Sequence, residues 1–437
     1  MVERESFTSK LGFVLSCLGS AIGLGNIWMF PWKLGQYGGA AFLIPYFIFV
    51  FLLGTTGLIG EFSFGRWKKS GSLNGITEVF KEKRILGGKV VSIIPTLAVA
   101  GTLVFYAVVV GWVFRYFVAS VDNSFTRVEI SSYFSSFAGT KSSVIWHFIA
   151  IAFTLMIVIL GVIKGIEKIN KIMMPALFVI FIVLLVRSVT LPGAMEGVKY
   201  LLIPRWQYLL KPITWIMALG QAFFTVSLNG AGMVVYGSYL KDKEDIPKAA
   251  LQVAIFDTLS ALLAAFMIIP AVFAFGLNPS AGPSLLFITM PHIFTSMHFG
   301  YVFGVLFFLS IIFAAVSSLV NMMEATTEAV MSKANMSRFK ACAIVSVIAF
   351  IIGVPLDLSM QKFGMWSDFI TIYLAPIGAL IASITFFWIN NVEKAREEIN
   401  KGAQTPLGKW FNPIAKYVFS ASAILVLILG AIFNGIG

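Results

Sequence analysis

Charge is scarce in this chain. Asp, Glu, Lys and Arg make up only 12% of its 437 residues, about half the share of a soluble domain. That scarcity argues against a cytosolic enzyme. Histidine is scarcer still: His147, His292 and His298 are the only three and do not cluster in sequence. No metal or catalytic constellation, no phosphate loop and no pair of catalytic acids is present, so an enzyme is not expected. The two cysteines, Cys17 and Cys342, both sit inside apolar runs. They suggest no disulfide framework and leave the redox compartment unread. No short-period repeat or low-complexity tract occurs.

Apolar sequence is abundant, with 58% hydrophobic residues and a mean hydropathy of +0.90. A helix needs about 20 mainly apolar residues to cross a bilayer. Eleven runs meet that need, at roughly 11–34, 40–65, 90–119, 144–163, 172–189, 212–240, 247–276, 299–330, 341–356, 364–389 and 411–436. The ninth is short. The first is too long for a cleaved signal peptide and lacks a small-residue cleavage site.

The net charge of +12 suggests nucleic acid in a soluble protein and topology in a membrane protein. With the N-terminus inside, 23 of the 32 basic residues fall in inner segments. Charges confined to alternate loops do not form a nucleic-acid face, so no nucleic-acid partner is expected. Eleven spans then place the C-terminus outside, in a multi-pass protein of the cell's inner (plasma) membrane. The loops at 121–143 and 190–211 are too short to be separate domains, so residues 1–437 read as one transmembrane domain.

Two runs are interrupted. The first contains Gly19-Ser20-Ala21-Ile22-Gly23-Leu24-Gly25-Asn26, followed by Pro31. Glycines weaken a helix and proline removes a donor. The sixth contains Ser227-Leu228-Asn229-Gly230-Ala231-Gly232. Irregular backbone at membrane depth is tolerated only against protein or a polar cavity. Breaks five spans apart fit two inverted five-helix repeats, about 8–190 and 212–390, with an additional helix at 411–436; the leucine transporter fold is the reference case for that inference.

The resemblance rests on named motifs. Gly19 to Trp28, Phe30-Pro31, and Gly38-Gly39-Ala40-Ala41-Phe42-Leu43-Ile44-Pro45-Tyr46 resemble the neurotransmitter:sodium symporter family. Gly220-Gln221-Ala222-Phe223-Phe224-Thr225-Val226-Ser227-Leu228, Tyr236-Gly237-Ser238-Tyr239, 270–276 and 282–291 match as well. The resemblance covers at least 10 of the 11 segments and is closest to the eleven-span bacterial members. It implies an all-α integral membrane fold of the leucine-transporter type, which imports an amino acid or amine by sodium symport.

By that resemblance one sodium site uses Ala21, Asn26, Thr225 and Asp257, with the substrate carboxylate as a further ligand. A second uses carbonyls of Gly19, Ile22 and Ala314 with the hydroxyls of Ser317 and Ser318. Sodium, a hard cation, prefers oxygen ligands. An acid inside an apolar span is costly and usually functional. Many family members carry a neutral Asn at the Asp257 position and need chloride. Transport without chloride is therefore expected, with Tyr46 and Gln221 lining what would be its place. Proton counter-transport through Asp257 is a related expectation.

Helix N-terminal ends bind anions, so Leu24 and Gly25, with Tyr106, should hold a substrate carboxylate beside Ala21 and Ser318. Phe223 and Ser227 should receive the amino group. Thr102, Phe224, Gly230, Asn321 and Met322 should set side-chain shape. Asn229 displaces the family's Gly-x-Gly by one position: either the register shifts locally or Gly230 opens the pocket to a large apolar or aromatic amino acid.

The outer gate departs from the pattern. Asp368 is present, but Met29 stands where the family has Arg. Lys33, one turn further on the same face, could replace it; alternatively the gate is hydrophobic. Arg4, Tyr239 and Glu328 are the inner-gate candidates, and Glu61 should bond backbone freed by the breaks. Segment 279–298 reads as a loop helix folding down as a lid. A proton- or exchange-driven transporter, or a ligand-binding sensor on the same fold, are the alternative readings.

Overall fold

The computed structural model describes residues 5–279 and 285–436, and among them all regular structure is helical. Nine helices among the described residues are long and apolar enough to cross a membrane: Ala40–Lys68, Gly88–Val121, Lys141–Val158, Val162–Val189, Ile246–Ala274, Gly300–Ala334, Arg338–Asp357, Met360–Ile389 and Phe411–Ile432. The short ninth run is thus a helix of 20 residues. The first run is a pair, Lys10–Ala21 and Gly25–Gln36, bent by 54°. The sixth is split into Pro212–Thr225 and Gly232–Ser238. Spans are numbered below by these eleven runs. Part of the 279–298 segment forms the short apolar helix Leu285–Ser296; residues 280–284 lie outside the described residues.

Local chemistry explains the breaks. Ser9 caps the first helix by accepting from Gly12 N at 3.0 Å. The helix stops at Ala21, and Ile22 is extended (φ −70°, ψ 105°). Beyond the break, Pro31 offers no N–H, and the turn before it widens so that Phe30 N–H reaches back to Gly25 O. In the sixth span Ser227 and Gly230 both have positive φ (57° and 77°), which turns the chain out of the helix. Asn229 Oδ1 accepts from Ala231 N and Gly232 N, each at 3.0 Å. It therefore caps the second half-helix, as Asn does at ordinary N-termini.

Glycines set the approach of the broken spans to the scaffold. A Cβ on Gly65 would lie 1.9 Å from Val234 O, and one on Gly237 would lie 2.4 Å from Phe62 O. The second span and the inner half of the sixth therefore meet backbone to backbone. Elsewhere in the scaffold, buried His147 Nδ1 lies 2.7 Å from Asp357 Oδ2, joining the fourth and ninth spans. Ser143 donates to Asp357 at 2.7 Å and accepts from Trp112 Nε1 at 2.9 Å, adding the third.

On the face that carries most inner basic residues, hereafter the basic face, Arg66 is 1% exposed. Its Nε lies 3.0 Å from Glu398 Oε1, Nη1 donates to Glu244 O at 2.7 Å and Lys401 O at 3.0 Å, and Nη2 bonds Glu398 O. One guanidinium thus ties the end of the second span to two connecting segments. Removing one partner of a buried pair costs about 3–5 kcal/mol because the other charge is stranded, whereas exposed pairs contribute about 0–1 kcal/mol. In thermal unfolding of detergent-purified protein, Arg66→Met should lower the midpoint markedly. Lys199→Met, which breaks an exposed pair with Glu196 at 2.9 Å, should leave it nearly unchanged.

Candidate functional site

A cavity of about 510 Å³ lies between the first, third, sixth, eighth, tenth and eleventh spans. Its floor is the broken backbone, with Ala21, Gly23, Leu24 and Gly25 on one side and Ser227, Leu228 and Asn229 on the other. Thr102, Tyr106, Phe223, Phe224, Ser318 and Met322 complete the lower walls. The cavity continues past Met29 to Lys33 and Asp368, towards the face opposite the basic one.

Around the first break, polar atoms converge in two clusters. In one, Asn26 Nδ2 donates to Asp257 Oδ1 at 2.8 Å, to Asp257 O at 3.1 Å and to Ser260 Oγ at 3.2 Å. Thr225 Oγ1 donates to Asp257 Oδ2 at 2.9 Å, and Asn26 Oδ1 accepts from Gly23 N at 3.1 Å. Asp257 is fully buried, and the donors to its carboxylate, Asn26 and Thr225, are neutral. Tyr46 adjoins this cluster, beside Thr225 and Thr258. Gln221 Nε2 donates to Gly25 O at 3.1 Å.

In the second cluster Ser318 Oγ lies 3.2 Å from Gly19 O, 3.2 Å from Ser20 O and 3.3 Å from Ile22 O. Ser317 Oγ donates to Ala314 O at 2.9 Å. The five residues expected from the sequence therefore meet in one place. Ser20, whose carbonyl also accepts from Ser227 Oγ at 2.9 Å, was not foreseen; its position between two expected residues was the available signal. Asn170 was also missed: a Cβ on Gly19 would lie 2.0 Å from its Oδ1 and 2.9 Å from Ser317 Cβ.

The resumed first helix presents Leu24 N, which donates to Tyr106 Oη at 3.1 Å. A Cβ on Gly23 would lie 2.8 Å from both Ser318 Oγ and Tyr106 Oη. These atoms form the tightest part of the floor.

Two expected shape-setting residues lie elsewhere. Gly230 does not line the cavity: its Cα faces the tenth span, where a Cβ would meet Gly378 O at 2.1 Å. Its N–H donates to Glu61 Oε1 at 2.9 Å, the backbone support expected of Glu61. The displacement by Asn229 is a shift of register into a cap, not an opening of the pocket. Asn321 also stays out of the lining, because its Nδ2 donates to Gly232 O at 3.3 Å.

The outer gate differs from expectation as well. Lys33 is 2% exposed, and its Nζ donates to Ile436 O at 2.8 Å. Among the described residues it makes no ion pair with Asp368, which is exposed at the cavity's upper edge. On the basic side Phe7 packs against Phe13, Tyr236 and Tyr239. The Tyr239 hydroxyl donates to Glu324 Oε1 at 2.5 Å, and Arg338 pairs with the same carboxylate. Glu328 accepts from Gly71 N at 3.1 Å and from Ser332 Oγ at 2.9 Å. Arg4 lies outside the described residues. Glu324, like Asp257 an acid inside an apolar run, carried the same sequence signal. No group of three or more His, Cys, Asp or Glu that could hold a metal occurs among the described residues.

The chain resembles known proteins over nearly its whole length. The model of the sodium:neurotransmitter symporter family matches residues 4–136 and 127–434. A protein of Bacillus subtilis named as the uncharacterized sodium-dependent transporter YhdH is 37% identical over 390 residues, covering 88% of this chain and 84% of its own. An uncharacterized sodium-dependent transporter of Methanocaldococcus jannaschii is 31% identical over 455 residues, covering 98% and 91%. The crystal structure of MhsT in complex with L-phenylalanine matches with a TM-score of 0.87 at 33% identity, covering 98% of this chain and 99% of that one. The chain belongs to the sodium:neurotransmitter symporter family, whose members are sodium-coupled membrane transporters and not enzymes.

Proposed function

We propose that this protein is a sodium-coupled symporter that imports an amino acid with a large apolar or aromatic side chain, by alternating access and without chloride. The observation that carries the reading is the oxygen cluster at the first break. Three main-chain carbonyls surround Ser318 Oγ within 3.2–3.3 Å, and a fourth lies beside Ser317. One hydroxyl proton cannot satisfy three carbonyls, and a hard cation can. A second ion fits the Asp257 cluster, where Thr225 adds a neutral hydroxyl oxygen, Asn26 would turn its Oδ1 from Gly23 N towards the ion, and the Ala21 carbonyl would complete the shell.

The substrate carboxylate fits above this ion, against Leu24 N and the Tyr106 hydroxyl. Both now bond each other and would open to receive it. The amino group would meet Ser227 and the carbonyls beside it. A large side chain is supported by the cavity's volume and its walls of Phe223, Phe224 and Met322, and by the L-phenylalanine named for the MhsT complex. Gly230 lends no support, since it faces Gly378. Asp257 supplies negative charge where chloride would otherwise be needed. The positive-inside bias supports an orientation with the basic face in the cytoplasm and Lys33 and Asp368 outside. The two half-sites at the first and sixth breaks support the inverted-repeat reading.

In proteoliposomes, an inward sodium gradient should drive accumulation of L-phenylalanine, with glycine and alanine competing poorly. Uptake on a proton gradient alone would move the protein to the proton-driven class. Ser318→Ala should raise the half-saturating sodium concentration on the order of tenfold, equivalent to about 1.4 kcal/mol. Replacing chloride by gluconate should leave the native rate unchanged. Asp257→Asn should lose uptake in gluconate and recover part of it in chloride; a steep chloride requirement of the native protein overturns the assignment.

A further inference from the structure

The eleventh span does not simply end at the membrane surface. Gly435 N donates to Gly430 O at 2.9 Å, and Asn434 and Gly435 have φ of 52° and 105°. This left-handed turn is the usual way a helix end is reversed. It sends residues 434–436 back into the protein, where they line the same cavity as Tyr106 and Ser318. Ile436 is only 2% exposed.

The tail lies in a built seat. Lys33 Nζ donates to Ile436 O at 2.8 Å. Gly220 in the sixth span leaves room for that carbonyl, since a Cβ there would lie 2.2 Å from it. Ile372 in the tenth span supports the turn, 3.4 Å from a Cβ placed on Gly430 and 3.8 Å from one on Gly435.

We propose that residues 434–436 are the movable outer wall of the substrate cavity, latched by Lys33, and that this latch does the gating work which Met29 cannot share with Asp368. A buried ammonium without a partner is costly. Lys33 must therefore hold Ile436 O or another acceptor, and Asp368 is the carboxylate on the same cavity wall. Exchange between these two acceptors gives the wall two discrete positions, one with the tail docked and one with it released. Lys33 acts here as a positioning residue; it does not contact the ions. The gating role rests on the transport reading, whereas docking of the tail does not.

A thiol placed beneath the tail reports its release. The native cysteines are both buried, so Ile372→Cys provides a single reactive site in purified, substrate-free protein. Labelling by a water-soluble maleimide should be slow. It should rise on the order of tenfold with Lys33→Met, and by as much when the chain is ended after Phe433. Unchanged rates in both variants overturn the latch. A second arm asks whether the latch matters to transport. Lys33→Met and the chain ended after Phe433 should each lower sodium-driven L-phenylalanine uptake on the order of tenfold for an equal amount of reconstituted protein. Native-rate uptake by both variants would overturn the gate. Because labelling needs neither sodium nor substrate, its failure is distinguishable from failure of the transport reading.

Discussion

Every main-chain N–H and C=O at membrane depth must find a partner within the protein. The two helix breaks release more of these groups than helical bonding can satisfy. At the sixth span the released N–H groups are matched by side chains: Glu61 accepts from Gly230, and Asn229 accepts from Ala231 and Gly232. At the first span the carbonyls outnumber the donors that reach them. Ser318 serves three, Ser227 adds one proton to Ser20 O, and Gln221 adds one to Gly25 O. Just beyond, Leu24 N faces a phenol hydroxyl that can yield to a stronger acceptor. An excess of carbonyls on one side of the break and an available N–H on the other suits the cation below an anion proposed above. The ion-binding chemistry and the fold thus share one cause.

Much of this arrangement could be read from residue types. Run length located the spans, including the ninth. The Gly and Pro spacing located the first break, and the clustered small residues with Asn located the sixth. The proposed ligands are legible because each combines an oxygen-bearing side chain or freed carbonyl with an apolar setting that tolerates few such groups. What could not be read was the neighbour each residue meets. Gly230 turned out to face a carbonyl of the tenth span, 148 positions away in the chain. Lys33 found its acceptor 403 residues away. Glu324 and Glu328 sit one helical turn apart on the same span, and helical phase alone does not say which meets Tyr239. The rotation and depth of the whole eighth span decide it, and these are set by packing across several spans.

The buried charges divide by partner, and the division separates scaffold from site. Glu398 pairs with Arg66 and Glu324 with Arg338, both towards the basic face. In each pair the carboxylate's charge is already balanced, so the pair stiffens its surroundings and has no need of a mobile ion. Asp257 and Glu61 lie inside long apolar spans, and main-chain N–H, amide and hydroxyl groups donate to them. Neutral donors stabilise a carboxylate without cancelling its charge. Glu61 directs its bond to backbone, away from the cavity, so it holds a break in shape. Asp257 directs its oxygens to the Asn26 amide and the Thr225 hydroxyl, the two side chains proposed above as further ligands of an ion. A cation arriving there would gain a balancing charge and two further ligands at once. The same cation placed against Glu398 would have to compete with a guanidinium fixed by four other contacts. The distribution of the cationic side chains therefore matters as much as that of the acids: with no cationic partner for Asp257 among the described residues, its charge is open to the sodium ion proposed above.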